Sequence, residues 1–157
     1  MALQHVREAI LDAIVTQLNR IGIDPTVTWA TSEKAIIRKL EQDAFSLAAF
    51  PHVLVVPRGE SVRDGAAGGT TSRSDVTMDI LVDVTLKTWE MSADISRFLH
   101  DVQKVIGLDH TLLGTAVDVR ITGNRSSLSE DNEPLCGIQV FMEADYRFNR
   151  SDPSTPV

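Results

Sequence analysis

The segment LCGIQVFMEADYRF, residues 135–148, decides the fold of this chain because its side chains alternate in character with a period of two. From Gly137 on, one phase is small or polar except at Phe141, and the other phase is apolar throughout: Cys136, Ile138, Val140, Met142, Ala144, Tyr146 and Phe148. Such alternation predicts a long β-strand with one buried face and one solvated face.

A second long segment, residues 76–86, repeats the pattern. Its apolar phase runs from Val76 to Leu86, while Thr77, Asp79, Asp83 and Thr85 form a polar phase that is interrupted by Leu81. Two long amphipathic strands of this kind predict an antiparallel sheet with one face on a core.

Helices are predicted on either side of this strand pair. Residues 2–21 carry apolar side chains at spacings of three and four, and residues 94–106 do the same before Gly107. Residues 31–50 are a weaker helix candidate, and Val27 to Trp29 a short strand candidate. Residues 52–56 and 117–121 add short strands. The fold class is therefore α+β, with helices packed on one face of a mostly antiparallel sheet.

The organisation is that of one domain, residues 1–148, followed by a loose tail, residues 149–157. Residues 58–75 hold four glycines and little to bury, so we expect a flexible hairpin arm projecting between two strands. Residues 123–134 are predicted to be a polar loop. Cys136 lies on the apolar phase and is interpreted as a core residue, since a single cysteine supports neither a disulfide nor a cysteine-based zinc site.

Composition excludes several functions. The net charge of −7 and four scattered lysines disfavour nucleic-acid binding, which needs clustered basic side chains. No apolar run approaches the length of about 20 residues that spans a bilayer, and the polar N-terminus is unlike a secretory signal, so we expect a cytosolic product and no membrane contact.

Motifs for catalysis are missing from the sequence. The histidines lack the His-x-x-x-His spacing of a helical zinc site, and no Gly-x-Ser-x-Gly motif accompanies the neighbouring pair Asp109 and His110. Asp79, Asp83, Glu143 and Asp145 could cluster on the polar phases of the paired strands and bind a divalent cation or act as a general acid–base pair. The competing interpretation is a solvated sheet face. We expect no enzyme and no cofactor.

Leu81 and Phe141 are the informative exceptions, because each places a large apolar side chain on an otherwise polar strand face. Exposed apolar residues of this kind indicate contact with another chain or a helix. Together with the long strands and the hairpin arm, they favour a component of an assembly.

The layout resembles the tail terminator (tail completion) proteins of long-tailed bacteriophages. The matching features are the helix opening VREAILDAI (6–14), the strand PHVLVV (51–56) leading into an arm, and a long strand followed by the helix at 94–106. The C-terminal part, with SEDNEP (129–134) before a strand ending EADYRF (143–148), matches as well. The resemblance covers nearly the whole chain, although it lies in layout and not in one diagnostic motif.

The resemblance implies a structural protein that forms a ring, typically of six subunits, at the head-proximal end of the tail tube. The ring ends polymerisation of the major tail tube protein and presents a docking surface to the head–tail connector protein. The location implied is the head–tail junction of the virion, after assembly in the bacterial cytoplasm. Another neck or tail-tube component of a phage is the alternative within the same class, and a metal- or small-molecule-binding domain or enzyme is the alternative from a different class.

A ring requires a heterologous interface that closes by rotation. We hypothesise that Arg58, Arg63 and Arg73 of the arm pair with acidic groups of a neighbouring subunit, namely Glu130, Asp131 or Glu133. Leu81 and Phe141 are expected to contribute apolar contact. The alternative for the arm is a solvated loop without a partner.

Overall fold

The β-sheet grows outward from two long central strands in the computed structural model, which describes residues 5–21, 36–39, 51–64, 73–128, 133–149 and 152–156. β3 (Arg73–Lys87) and β5 (Leu135–Asn149) are antiparallel, and their register runs without a break from Arg73 opposite Asn149 to Lys87 opposite Leu135. The prediction that these two strands pair is confirmed.

The described strands are ordered β1-β2-β3-β5-β4, with β6 beside the end of β5. β2 (His52–Asp64) is antiparallel to β3, and β4 (Asp118–Leu128) is antiparallel to β5. β1 (Ile36–Lys39) is parallel to His52–Val55, and β6 (Asp152–Pro156) pairs with Phe148 and Asn149.

In the part of the chain that the structure describes, two helices cover one face of this sheet. α1 (Val6–Leu18) begins after His5, whose ring Nδ1 accepts a hydrogen bond from the Arg7 amide at 3.1 Å. α2 (Met91–Leu108) contributes residues such as Phe98 and Val102 to the same core as α1. The alternating burial of β3 and β5 places every second side chain in that core, Cys136 included. The α+β fold is thus confirmed, and neither helix combines the length and apolarity needed to cross a membrane.

Three segments differ from the prediction. Ile36–Lys39, placed in a helix from sequence, is a strand, since two β-branched isoleucines pair with the apolar run of β2. The remainder of that helix candidate, and the short strand candidate at 27–29, lie outside the described residues. The segment 149–157, predicted to be a loose tail, contributes β6. α2 begins three residues before the predicted start at Asp94.

The arm and the polar loop are also shorter than predicted. Within residues 58–75, the described parts belong to β2 and β3, with Arg63 opposite Asp75, so the arm is a paired hairpin up to residues that the structure does not describe. Gly123–Leu128, predicted to be loop, extends β4 along β5. No described helix covers either segment, so neither shows an apolar phase in its sequence. Backbone hydrogen bonds to the neighbouring strand keep each segment in the sheet.

A polar contact ties α1 to the sheet at the margin of the core. Tyr146, only 1% exposed, donates a hydrogen bond from its hydroxyl to Glu60 Oε1 at 3.1 Å. Arg7 Nε lies 2.9 Å from the same oxygen, although its N–H is not aimed at the carboxylate, so this contact is an ion pair and not a hydrogen bond. Helix, β2 and β5 therefore meet at one carboxylate.

Candidate assembly surface

The sheet face opposite the helices, here called the outer face, carries the residues that the sequence singled out. Its positions on β3 and β5 are partly or fully exposed, whereas the alternate positions are buried. Among the described residues, no helix packs on it. A large sheet face without a cover is unusual for an isolated subunit unless it is polar.

An apolar row crosses the outer face. Val56 of β2 is opposite Leu81 of β3, Leu81 is opposite Phe141 of β5, and Phe141 is opposite Gly123 of β4. A Cβ at Gly123 would lie 3.9 Å from Phe141 Cδ2, so the missing side chain leaves that flank of the ring open. We call Val56, Leu81 and Phe141 the apolar row. Sequence predicted that Leu81 and Phe141 share a face, and the register makes them direct neighbours.

Two carboxylates flank the centre of the row. Asp79 and Asp83 stand two positions before and after Leu81 on the same face of β3. Neither makes an ion pair with a residue that the structure describes. The row is therefore an apolar strip with negative charge on both sides.

The polar part of the outer face is organised by Arg120. Its guanidinium donates to Glu143 Oε2 at 2.5 Å and to Asp145 Oδ2 at 2.6 Å, and it lies 3.5 Å from Asp118 Oδ2. Thr77 Oγ1 donates to Asp145 Oδ1 at 2.7 Å. The five side chains come from β3, β4 and β5, so this network holds three strands in register.

These contacts shift the pKa values of Asp145 and Arg120. Partial burial by itself raises the pKa of Asp145, but the hydrogen bonds from Arg120 and Thr77 outweigh it, and the pKa is lowered. The same hydrogen bonds to Asp145 and Glu143 raise the pKa of Arg120. Asp145 and Arg120 are therefore both charged at neutral pH.

The carboxylate cluster considered from sequence does not form a metal site. Asp79 is opposite Glu143, as pairing of the strands required, yet Glu143 and Asp145 are both held by Arg120. Within the described residues, no group of three metal-ligating side chains is close enough to hold an ion. Two carboxylates that share one arginine form a structural ion-pair network.

The predicted arginine–carboxylate contacts lie partly outside the described residues, since Glu130 and Asp131 fall there. Glu133 is exposed just before β5, at the end of the sheet where Leu135 faces Lys87. Arg63 and Arg73 lie at the opposite end, where Arg73 faces Asn149 and its Nε is 3.7 Å from Asp75 Oδ1. Arg58 is exposed at the bulge of β2. One copy of the chain therefore does not bring these arginines to Glu133.

The sequence did not single out the α2–β4 loop, residues 109–117. Leu112, Leu113 and Gly114 all have positive φ, at 49°, 58° and 83°. Leu112 is buried, whereas Leu113 is 94% exposed. A left-handed backbone costs a residue with a Cβ about 1–2 kcal/mol. The available sequence signal was the Leu-Leu-Gly run, in which Gly114 marks a turn.

The loop is held in this strained form by its own polar contacts. Asp109 accepts hydrogen bonds from the Leu113 amide at 2.8 Å and from Thr111 Oγ1 at 3.0 Å. The Val117 amide donates to the Asp145 carbonyl at 2.7 Å. Burial raises the pKa of Asp109, but the hydrogen bonds from Leu113 and Thr111 outweigh it and lower the pKa overall. The fold thus fixes a large apolar side chain in solvent.

His110 is adjacent to Asp109 in sequence, but its imidazole contacts Asp118. Its Nδ1 lies 3.1 Å from Asp118 Oδ1, whereas the Asp109 carboxylate is engaged by the loop backbone. The imidazole and Asp118 are both solvent-exposed side chains at the loop exit. The pair closes the loop against the start of β4.

Comparisons with known proteins give likenesses among solved structures alone. No protein-family model and no curated protein sequence matches this chain. Among solved structures, it is similar to a chain of the "Virion of native gene transfer agent (GTA) particle", with a TM-score of 0.49 and 14% sequence identity. The match covers 91% of this chain and 98% of that chain. At this level of likeness, the comparison carries no argument about function.

Proposed function

We propose that this protein is a structural tail terminator of a long-tailed bacteriophage. In this proposal, copies of the chain form a ring, of six subunits in the simplest case, on the head-proximal end of the tail tube. The ring ends tube growth and offers a docking surface to the head–tail connector. The choice of this family is supported by the resemblance between the layout of the sequence and that of tail terminator proteins.

The observation that carries the proposal is the apolar row on the outer face. Val56, Leu81 and Phe141 form a strip across three strands that no described helix covers. Apolar side chains in such a strip gain stability by leaving water, at about 25 cal/mol per Å² buried, which favours contact with another subunit.

The alternative from a different class has less support. The carboxylates that would have bound a metal are held by Arg120, and the depression beside them is polar and open. Its volume is about 430 Å³, and its lining includes Arg63, Asp75, Arg120, Asp145 and Arg147. Ligand pockets are mostly apolar and concave, so this depression does not favour a small-molecule site.

The test is the length of tail tubes seen by negative-stain electron microscopy. Tube protein from the same phage would be polymerised with and without this protein. Tubes of limited length with a ring at one end are the expected result. Tubes that grow unchanged and carry no ring would overturn the proposal and favour another neck component.

A pair of variants assigns the effect to the outer face. Phe141→Asp should abolish capping because it places a charge in the apolar row. Phe141 is partly exposed and also contributes to the stability of the sheet, so the thermal midpoint of the variant subunit is measured alongside capping. Thr85→Asp is the matched control, since Thr85 lies on the same face of β3 beyond the row, opposite Gly137. Loss of capping by Thr85→Asp alone would contradict a role for the row.

A further inference from the structure

A second row of side chains crosses the outer face next to the apolar row. Asp83 of β3 is opposite Gln139 of β5, and Gln139 is opposite Arg125 of β4. We call Asp83, Gln139 and Arg125 the polar row. On each of the three strands, it lies two residues from the apolar row or from Gly123, which continues that row on β4. The two rows are therefore adjacent on one face.

The polar row carries opposite charges that stay apart within one copy. The Cα atoms of Asp83 and Arg125 are separated by two strand spacings, about 10 Å. A depression of about 280 Å³ lies at this part of the face, and its lining includes Asp83, Arg125, Gly137 and Gln139. Neither charged side chain makes an ion pair with a residue that the structure describes. Among the described residues, both charges are therefore available to a partner.

The polar row is complementary to itself, because β5 lies between β3 and β4. A two-fold rotation about an axis parallel to β5 brings the outer face of a second copy onto this one. That rotation places Asp83 of each copy opposite Arg125 of the other. It also places the two Gln139 side chains opposite each other, and a primary amide both donates and accepts hydrogen bonds.

The same rotation fits the apolar row. Leu81 of each copy then faces Gly123 of the other, and the two Phe141 rings meet at the axis. The missing side chain of Gly123 leaves open the flank of the Phe141 ring, which Leu81 of the other copy would fill. Sheets that stack face to face lie about 10 Å apart, with interdigitating side chains. Shape and charge therefore favour the same partner in the same orientation.

We propose that two copies of this chain pair through their outer faces across a two-fold axis parallel to β5. In such a contact both copies use the same surface, so the assembly closes at two subunits. The three strands offer a surface about 14 Å wide and about 27 Å long between the levels of Thr77 and Thr85. This area of about 400 Å² per copy is about half of what a stable interface buries on each partner, so the dimer is reversible.

The dimer covers the surface that the proposed function assigns to contact with the tube or a neighbouring subunit. One copy cannot use its apolar row for both contacts at once, so pairing keeps the row out of water until the protein caps a tube. This consequence rests on the proposed function, whereas the two-fold contact rests on the complementarity of the face alone.

Sedimentation velocity over a wide range of protein concentration tests the contact. We expect a monomer–dimer equilibrium in the wild-type protein. Asp83→Arg and Arg125→Asp should each weaken dimerisation at least tenfold, because each places like charges opposite each other at two points. The double variant Asp83→Arg/Arg125→Asp should restore it, since the exchanged charges again face their opposites. Lys104→Asp reverses an exposed charge on α2, on the other side of the sheet, and should have no effect.

Mixing the two single variants is the decisive arm. In a pair made of one Asp83→Arg chain and one Arg125→Asp chain, both facing positions regain opposite charges. An equimolar mixture should therefore form dimers at concentrations at which each variant alone is monomeric. Only a two-fold contact that places residue 83 opposite residue 125 gives this result. The thermal midpoint of each variant shows that the subunit is folded.

A second set of variants tests the fit of the apolar row. Gly123→Val should weaken dimerisation at least tenfold by occupying the space for Leu81 of the other copy. A Cβ at this position has only an ordinary contact within the subunit, and β-branched residues suit strands, so the thermal midpoint should not fall. Leu81→Ala added to Gly123→Val should relieve the loss in part. Gly59→Val is the matched control, since it lies on β2, outside the three paired strands.

The outcomes separate this inference from the proposed function. Protein that stays monomeric at millimolar concentration, dimers that the charge reversals leave unchanged, or a mixture that does not pair would each overturn the two-fold contact. Multimers that grow beyond the dimer would overturn it as well. Capping of tubes by such a protein would leave the terminator proposal standing. Dimers with the expected pattern, in a protein that leaves tubes uncapped, would support the contact and contradict the terminator role.

Discussion

Leu81 and Phe141 are directly opposite each other on β3 and β5, on the face of the sheet that the described helices leave uncovered. Cross-strand pairs of large apolar side chains contribute to sheet stability even in water, because part of each side chain is shielded by the other. The same pair is the centre of the surface that we assign to assembly. Stability of the subunit and contact with a partner therefore depend on the same two residues.

The direct contact predicts coupling between the two residues. In a double-mutant cycle of Leu81→Ala and Phe141→Ala, we expect a coupling free energy of about 0.5 kcal/mol in urea unfolding of the subunit. The control cycle uses Thr85→Ala with Phe141→Ala, whose positions are not opposite each other, and it should be additive within error. Additivity of the first cycle would show that the register of β3 and β5 differs from that described.

Arg120 is predicted to stabilise the sheet through its two carboxylate contacts. Arg120→Gln removes the charge and should lower the free energy of unfolding by about 1 kcal/mol or less, since the side chain is 41% exposed and solvent screens the ion pairs. Arg125→Gln is the control, because it lies on the same face of β4 opposite Gln139. Equal losses in both variants would show that the network adds nothing specific.

The same network predicts a response to acid. The pKa of Asp145 is lowered in the folded protein relative to about 3.9 in the unfolded chain, so the unfolded state binds the proton more readily. The stabilisation by Asp145 is therefore complete above pH about 4 and is lost as the pH falls through the lower folded value. Urea unfolding across this range should show a shallower acid limb for Asp145→Asn than for wild type. Thr77→Val should lie between them, and identical slopes would contradict this assignment.

Tyr146 predicts a response to alkali. Burial, and then the negative charge of Glu60, raises the pKa of this tyrosine in the folded state. The resulting stabilisation is present below the unfolded value of about 10 and is lost as the pH rises through the folded value. Tyr146 is the single tyrosine, so tyrosinate absorbance reports it alone. We expect it to ionise well above pH 10, near the unfolding transition, and ionisation at the ordinary value in folded protein would contradict its burial.

Tyr146→Phe isolates the hydrogen bond to Glu60. The variant keeps the packing and should lower the free energy of unfolding by about 1 kcal/mol. It should also remove the alkaline dependence that is due to Tyr146. Glu60→Gln is the matched variant, since it keeps an acceptor for the hydroxyl but removes the charge that pairs with Arg7.

The strong periodic segments were predictable from sequence because burial of one face imposes a period on the residues themselves. β3, β5, α1 and most of α2 were found in this way, as were the burial of Cys136 and the shared face of Leu81 and Phe141. Where no core is adjacent, no such period exists. Gly123–Leu128 and the described part of the hairpin arm are held by backbone hydrogen bonds to a neighbouring strand. The pattern of their side chains does not indicate this strand pairing.

Sequence by itself determined which faces of the long strands and helices are buried, because apolar residues recur with the period of the strand or helix whose face is buried. Only the tertiary structure decided which polar groups meet. Arg120 reaches Glu143 and Asp145 through the register of β4 on β5, and Leu113 is held in solvent by a turn that Asp109 closes. Strand register and left-handed backbone depend on contacts between residues far apart or on the packing around a turn, so no local pattern encodes them.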